Sequence, residues 1–302
     1  MDPGDVCVLI PTLDEEATIG EVVDGFRDQG FDDVLVIDGG STDDTRTVAE
    51  EHGARVVEQS GSGKGQAVQE AIELIDREYV VMIDGDGTYL PEEVDDLLAP
   101  LDRGYDHVVG DRLGNRDAFT RLNYVGNRIF NALFRFAHGR DLDDILTGYR
   151  AFTRESAERL HLEESGFGIE TEMTVEALKH EQKMLSVPIT YRERPESSDT
   201  KLRPVRDGAR IAYTIYRMTK TSNPFFYFGS VGLVVFLAGV ASGLYVVYDR
   251  FVNGVTHNLL AVLTALLVLA GIQLFVFAAL SDVVVELHRD QMRAIRRLRD
   301  DE

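Results

Sequence analysis

The sequence predicts an α/β domain with a mainly parallel central sheet, followed by two transmembrane helices. Three observations carry that expectation. Short apolar runs alternate with helical patterns of roughly 10–15 residues, the order that builds βαβ units. Three successive strands end in Pro11-Thr12, Asp38-Gly39 and Asp84-Gly85-Asp86, so polar groups collect along one sheet edge, where open α/β sheets bind ligands. Two uncharged stretches, Phe225–Tyr248 of 24 residues and Leu259–Leu280 of 22, exceed the roughly 18 residues that mark a membrane-spanning helix.

The elements follow in order. Val6–Ile10 is strand-like and is broken at Pro11, after which Ile19, Val22, Val23 and Phe26 recur at helical spacing. Val34–Ile37 is a second strand; Ser41 or Thr42 is placed to cap the helix running through Thr47 to Glu51. Ala54–Val57 is a third strand, and Gly61-Ser62-Gly63-Lys64-Gly65 leads into a helix ending near Asp76. This loop lacks the third glycine of the dinucleotide fingerprint, and Lys64 is followed by Gly rather than Ser or Thr, which excludes the Rossmann and Walker readings. A loop with Lys64 beside a phosphate remains, against a plain surface loop. Val80–Ile83 is a buried strand, His107–Gly110 another, and a helix is predicted from about Arg121 to His138. Asp144 precedes a tight turn at Gly148-Tyr149-Arg150. Glu170 and Glu172 open a helix toward Lys179 and suit its N-terminal dipole. Val187–Tyr191 is a strand, followed by Arg192, Arg194, Lys201, Arg203 and Arg206.

Asp84-Gly85-Asp86 is the stretch around which the chain is organised. Two carboxylates just past a buried strand suit a hard divalent cation facing a pyrophosphate, while the plain alternative is a solvated Asp-Gly turn. An EF-hand is excluded, because Tyr89 and Asp95 stand where that loop needs Gly and Glu.

Composition narrows the class. The 302 residues carry 52 acidic and 31 basic side chains, a formal charge of −21, and only five of the basic ones are Lys. Such a surface argues against nucleic-acid binding and resembles the proteins of a halophilic archaeon. The single Cys7 lies in Val6-Cys7-Val8-Leu9-Ile10, a buried strand position, and permits no internal disulfide, as expected in a reducing cytosol. The acidic N-terminus moves straight into a strand without a signal-peptide pattern. Basic residues number six in 201–220, one (Arg250) in the connector Asp249–Asn258 and five after Leu280. The positive-inside rule therefore places the connector outside and the large domain and C-terminal tail in the cytoplasm, a multi-pass protein of the cell membrane. Ile211, Ile215 and Met218 share a helical face opposite arginines, which suits a helix lying on the lipid surface. The expected organisation is a catalytic domain at 1–200, a basic amphipathic segment at 201–223, a helical hairpin at 224–281 and a tail at 282–302.

Taken in order, Pro11-Thr12-Leu13-Asp14-Glu15-Glu16, Asp38-Gly39-Gly40-Ser41-Thr42-Asp43, Gly63-Lys64-Gly65, Asp84-Gly85-Asp86, Gly110-Asp111-Arg112, Asp144 with Thr147-Gly148-Tyr149-Arg150, and Arg194 with Lys201-Leu202 resemble the family 2 inverting glycosyltransferases. More narrowly, they resemble the dolichyl- or polyprenyl-phosphate hexose synthases over about residues 5–205. The resemblance implies a GT-A fold, a nucleotide-sugar donor and Mg²⁺ or Mn²⁺ held by Asp84 and Asp86. It places Pro11, Thr12 and Glu15 around the base and ribose, Asp38 on the nucleoside, and Lys64 and Gly85 near the nucleotide. It assigns Arg112, Arg128, Arg194 and Lys201 to phosphates, the lipid phosphate included, and Asp144 to the sugar and acceptor, with Asp144, Arg112 and Arg194 as the catalytic group. Thr88 stands where the family often has Gln, and the segment from Arg194 to Lys201 is one residue longer than usual.

The implied function is transfer of a hexose to dolichyl phosphate for protein N-glycosylation. By analogy with archaeal enzymes that begin a lipid-linked glycan, UDP-glucose is the first donor expected and GDP-mannose the second. Alternatives are a processive polysaccharide synthase, whose QxxRW motif this Trp-free chain lacks, a protein-directed glycosyltransferase, and a membrane-anchored nucleotide-sugar binder without activity. Self-association is left open.

Overall fold

Strand β1 (Val6–Thr12) is the axis of the first of two units, Met1–Ile215 and Tyr216–Glu302. All seven of its residues are buried, because it is flanked by strands on both sides and covered on both faces. The computed structural model describes the chain apart from residues 116–118, 120, 139–141, 167, 195–207, 210–211, 215, 218–222 and 301–302, and apart from the side chains of 121–122, 133, 137–138, 288–290 and 292–300.

Around β1 lie β2 (Asp33–Asp38), β3 (Arg55–Glu58), β4 (Tyr79–Met82), β5 (His107–Asp111), β6 (Arg150–Thr153) and β7 (Met184–Pro188), in the order β3-β2-β1-β4-β6-β5-β7. Among these seven strands of the described residues, only β6 runs antiparallel to its neighbours. Its first residue, Arg150, pairs with Met82 at the end of β4, so the loop preceding β6 arrives at the same sheet edge as the loops that follow β1, β2, β4 and β5. Sequence alone reads this region as a turn. A fully buried Arg150 hides the apolar alternation that would mark the strand.

Two apolar layers cover the sheet. One joins Val6, Val8, Ile10, Val34 and Val36 to Ile19, Val22, Val23 and Phe26 of α1 (Ile19–Arg27) and to Val94, Leu97 and Leu98 of α4 (Val94–Leu98). The other joins Cys7, Leu9, Leu35, Ile37 and Phe152 to α3 (Lys64–Leu74) and to Ile169 and Met173 of α7 (Ile169–Lys179). Strand residues alternate between the layers with a period of two, as pleating requires.

Two local expectations fail for identifiable reasons. β1 continues through Pro11, because its pairing with β4 stops at Leu9 and the missing proline N–H costs no ladder bond there. Helix α2 (Thr45–Glu51) is capped by neither Ser41 nor Thr42; both are engaged by Asp38 and Asp14 across the loop. Helices α5 (Arg121–His138) and α6 (Arg154–Glu158) complete the first unit. Most of the 201–220 segment expected to lie on lipid falls outside the described residues.

The second unit pairs α8 (Pro224–Val252) with α9 (Asn258–Asp300). Both are long and apolar enough to cross a membrane, with mean hydropathies of 2.2 and 2.6 over their most apolar windows. Only 11% and 6% of those windows are buried, unlike the core helix of a soluble domain. Glycines bring the two backbones together: a Cβ on Gly271 would lie 2.8 Å from the Phe236 backbone, and one on Gly239 2.9 Å from the Val268 amide nitrogen. The connector is tied by Asp249, which accepts from Asn253 at 2.6 Å and pairs with His257 at 2.5 Å.

Burial, reinforced by nearby Asp33, pushes the Cys7 thiol up to about 12. A maleimide at neutral pH is therefore expected to leave the folded protein unlabelled and to modify Cys7 only in denaturant; labelling of the folded chain would show that β1 opens readily.

Candidate active site

The polar edge is assembled loop by loop. The β1–α1 and β2–α2 loops are laced together: Asp14, with φ at +49°, accepts from Thr42 N at 2.8 Å, while its own N–H donates to Ser41 Oγ at 2.9 Å. Glu15 N donates to Thr45 Oγ1 at 2.8 Å, and Asp44 N to Glu16 Oε2 at 2.9 Å. The buried Asp38 shapes this lattice itself, accepting the N–H groups of Gly40 and Ser41, each at 3.0 Å, and the Ser41 hydroxyl. The resemblance places Asp38 on the nucleoside; in the structure its carboxylate shapes the loop. Thr12 closes the buried run of β1 after Pro11, its hydroxyl buried without a hydrogen-bond partner beside Gly85. A Cβ on Gly85 would lie 3.1 Å from that hydroxyl. An orphaned buried hydroxyl at a sheet edge is a group still to be satisfied by something that binds there.

Beyond β4, the two aspartates face different cations. Asp84 Oδ1 pairs with Lys64 Nζ at 2.5 Å, and the same ammonium reaches Glu170 Oε1 at 2.5 Å. Burial pulls the Lys64 pKa down, but Asp84 and Glu170 more than reverse this and hold it above the ordinary lysine range. Asp86 is buried; Oδ1 accepts from Thr88 N at 3.1 Å and Thr88 Oγ1 at 2.6 Å, while Oδ2 pairs with Arg194. Arg194 also reaches Glu15 Oε1 at 3.1 Å. Burial, with Asp84 close by, raises the Asp86 carboxyl against the pull of Arg194. Gly148 lets the β6 loop close over Asp84, since a Cβ there would lie 2.4 Å from Asp84 Oδ2.

The glycines flanking Lys64 have a packing role. A Cβ on Gly63 would lie 2.2 Å from Ser165 O, and one on Gly65 1.9 Å from Glu164 O. Gly65 N donates to Ser165 O at 3.1 Å. The 164–165 backbone therefore fills the space that side chains at 63 and 65 would take, and the Lys64 ammonium is held by Asp84 and Glu170.

Asp144 is wholly buried, and Arg112 grips it bidentately, with Nε at 2.6 Å and Nη2 at 3.0 Å. Arg112 Nη1 donates to Tyr89 OH at 3.3 Å, and the guanidinium lies 5.3 Å from the Tyr191 ring and 5.6 Å from that of Phe119. Tyr89 OH in turn accepts Gly148 N at 3.0 Å, tying this pair to the loop over Asp84. Burial pulls against the Arg112 charge, and Asp144 overcomes it, raising the pKa well above the arginine range. The resemblance gives Arg112 to a phosphate; in the structure its fork holds Asp144.

Arg128 stands apart. Exposed on α5, it donates to Tyr124 OH at 3.3 Å and lines a cavity of about 780 Å³ with Asp111, Arg135 and Asp143. Val125, Ile129 and Phe136 are exposed on the same helix. Lys201, with Arg203 and Arg206, lies outside the described residues. The edge thus gathers Thr12, Glu15, Lys64, Asp84, Gly85, Asp86 and Arg194, with Arg112 and Asp144 linked through Tyr89. Glu170, Tyr89 and Tyr191 join this edge without any mark in the sequence that sets them there. Glu170 reads as a helix-dipole carboxylate, and no spacing in the sequence announces a partner 106 positions earlier.

The profile of the family described as Glycosyl transferase family 2 matches residues 7–160. Glycosyltransferase AglJ of Haloferax volcanii is 53% identical over 299 residues, covering 98% of this chain and 99% of the relative. The dolichyl-phosphate hexose transferase of the same organism is 37% identical over 218 residues, 71% of this chain and 93% of the relative. Among solved structures, glucosyl-3-phosphoglycerate synthase of Mycobacterium tuberculosis in complex with Mn²⁺ and UDP-glucose superposes with a TM-score of 0.60 at 26% identity, covering 71% of this chain and 79% of that one. The same enzyme with Mg²⁺ and UDP gives 0.59 at 27% identity, over 71% and 79%.

Because Asp144 and Arg112 are buried against each other, removing either charge strands its partner. Arg112→Met and Asp144→Asn are each expected to cost about 3–5 kcal/mol, and the double variant less than their sum. Denaturation followed by circular dichroism measures this; strictly additive costs would mean the two groups are energetically independent.

Proposed function

This chain belongs to glycosyl transferase family 2 and has the GT-A fold, and we propose that it moves a hexose from a nucleotide sugar, UDP-glucose ahead of GDP-mannose, to dolichyl phosphate for protein N-glycosylation. At the coarser level it is a glycosyltransferase of the dolichyl-phosphate hexose transferase type. The observation that carries the reading is the gathering of Asp84 and Asp86, held by Lys64 and Arg194, at the carboxyl edge of β4 beside the unpartnered Thr12 hydroxyl. The dolichyl-phosphate hexose transferase among the relatives supports the lipid acceptor.

The chemistry needs alignment and charge compensation more than proton transfer. A lipid phosphate oxygen is already anionic, so it attacks the anomeric carbon without a strong base while the bond to the nucleotide diphosphate breaks and leaves its electrons there. Arg194 and Lys64, held beside Asp86 and Asp84, are the cations we assign to offset that charge. Asp84 and Asp86 form the hard-oxygen donor set that Mg²⁺ or Mn²⁺ takes, and such an ion, when bound, offsets diphosphate charge. Thr12 and Glu15 line the nucleoside side of the edge. Asp144, locked by Arg112, orients the sugar–acceptor end instead of abstracting a proton. Tyr89 ties that end to Gly148 and Asp84.

The acceptor side is supported by the second unit and by α5. Two span-length helices suggest membrane association. The exposed Val125, Ile129 and Phe136, near Arg128 and Arg135, give α5 the apolar and basic groups that suit an anionic lipid surface. We assign the catalytic unit and the C-terminal tail to the cytoplasm from the six-to-one-to-five distribution of basic residues.

Two experiments test this reading. With radiolabelled UDP-glucose or GDP-mannose and dolichyl phosphate, label should enter the organic phase; EDTA should abolish transfer and Asp86→Asn should lower it by about 100-fold or more. Undiminished turnover in either case, or label retained on protein, would overturn the assignment. Cysteines placed at Asn253 or Asn258 in a Cys7→Ser background should react with a membrane-impermeant reagent on intact cells, and reaction only after lysis would reverse the orientation.

A further inference from the structure

Glu172, Glu176 and His180 recur every four residues at α7 and its C-cap and so share one helical face. That face holds the segment 161–164. Glu172 Oε2 accepts the N–H groups of Glu163 and Glu164 at 2.9 and 2.7 Å, and Glu176 Oε2 accepts that of His161 at 3.4 Å. The His161 ring stacks on that of His180, centroids 5.7 Å apart and planes within 16°. Gln182 secures the same region from the other end, donating to Ser156 O at 2.9 Å and accepting from Ser156 Oγ at 2.7 Å.

We infer that His161, Glu176 and His180 form a binding site for a transition-metal ion of the Zn²⁺ class, separate from the Asp84–Asp86 edge. Their ligand atoms lie within 4.8 Å of one another, and His180 Nε2 is 3.8 Å from Glu176 Oε2. Two ligands held 2.0–2.1 Å from a tetrahedral ion are about 3.3 Å apart, so modest rotations of the exposed His161 and half-buried His180 side chains complete the approach. Glu176 is oriented for this role: Lys179 Nζ holds Oε1 at 2.6 Å and leaves Oε2 on the imidazole side. A ligating carboxylate whose other oxygen is hydrogen-bonded is the usual outer-shell arrangement. Two imidazoles and one carboxylate favour Zn²⁺, Ni²⁺ or Cu²⁺ over Mg²⁺, which prefers oxygen ligands alone.

The ion would act as a staple. The segment it fastens continues into Glu164 and Ser165, whose carbonyls pack on Gly65 and Gly63 around Lys64. Fixing it steadies the ammonium that faces Asp84.

The test is Zn²⁺ titration of the full-length protein against a chromophoric chelator, in a D84N/D86N background that removes the oxygen site. One equivalent should bind and resist millimolar Mg²⁺, and His161→Ala or His180→Ala should weaken it by more than about tenfold. Zn²⁺ should also raise the Tm of the wild-type chain but not of His161→Ala. His161 is exposed, so its replacement leaves the fold intact, and circular dichroism checks this. Unchanged stoichiometry and affinity in both histidine variants would overturn the site, as would a Co²⁺ complex with only the faint absorption of six-coordinate oxygen ligation.

Discussion

Carboxylates crowd one sheet edge, and their repulsion is the constraint on which the rest of the first unit depends. Glu15, Asp84, Asp86, Asp144 and Glu170 all approach the carboxyl ends of β1, β4 and β5, most of them buried. Charges so placed persist only when paired. Lys64 bridges Asp84 and Glu170, Arg194 bridges Glu15 and Asp86, and Arg112 clamps Asp144. Each cation comes from a different part of the chain: the start of α3, the end of β5, and the segment after β7. The fold's work at this edge is to bring those three regions to one place.

The reversal of β6 makes that convergence complete. Parallel strands deliver the loops that follow them to the carboxyl edge, while an antiparallel strand delivers the loop that precedes it. Asp144, Thr147 and Gly148 therefore arrive opposite Asp84. Arg150, buried at the start of β6, fastens this loop by donating to Thr147 O at 2.7 Å and to Glu170 O at 3.1 Å. Burial lowers its pKa, yet bonds to carbonyl groups and nearby carboxylates keep such a guanidinium tenable in the core. This reversed strand thus couples the buried Asp144, the loop over Asp84 and the helix carrying Glu170.

The second unit has a surface suited to a different solvent. Its helices expose Leu237, Leu244, Leu266, Leu269 and Leu280, which in water would be a large apolar liability and in lipid is the expected surface. Contact between the helices includes glycines, the hydrogen bond of Ser242 with Thr264 at 2.8 Å and the edge-on pair Phe228–Phe277. Hydrophobic burial cannot drive helix pairing in a hydrocarbon environment, and close backbone packing of this kind is what pairs helices there.

Much of this was legible in the sequence because it rests on local patterns. Strand and helix periodicity, the polar ends of β1, β2 and β4, and the two uncharged spans depend only on neighbours along the chain, so the α/β class, the position of Asp84 and Asp86 and the span-length helices could be read directly. What tertiary structure alone decided are the long-range pairings. Lys64 meets Glu170, Arg112 takes Asp144 instead of facing outward, and Gly63 and Gly65 make room for the 164–165 backbone. A charged residue in a sequence looks the same whether it waits for a ligand or neutralises another buried charge. Only the register of the sheet and the path of the loops determine which partner lies within hydrogen-bond reach.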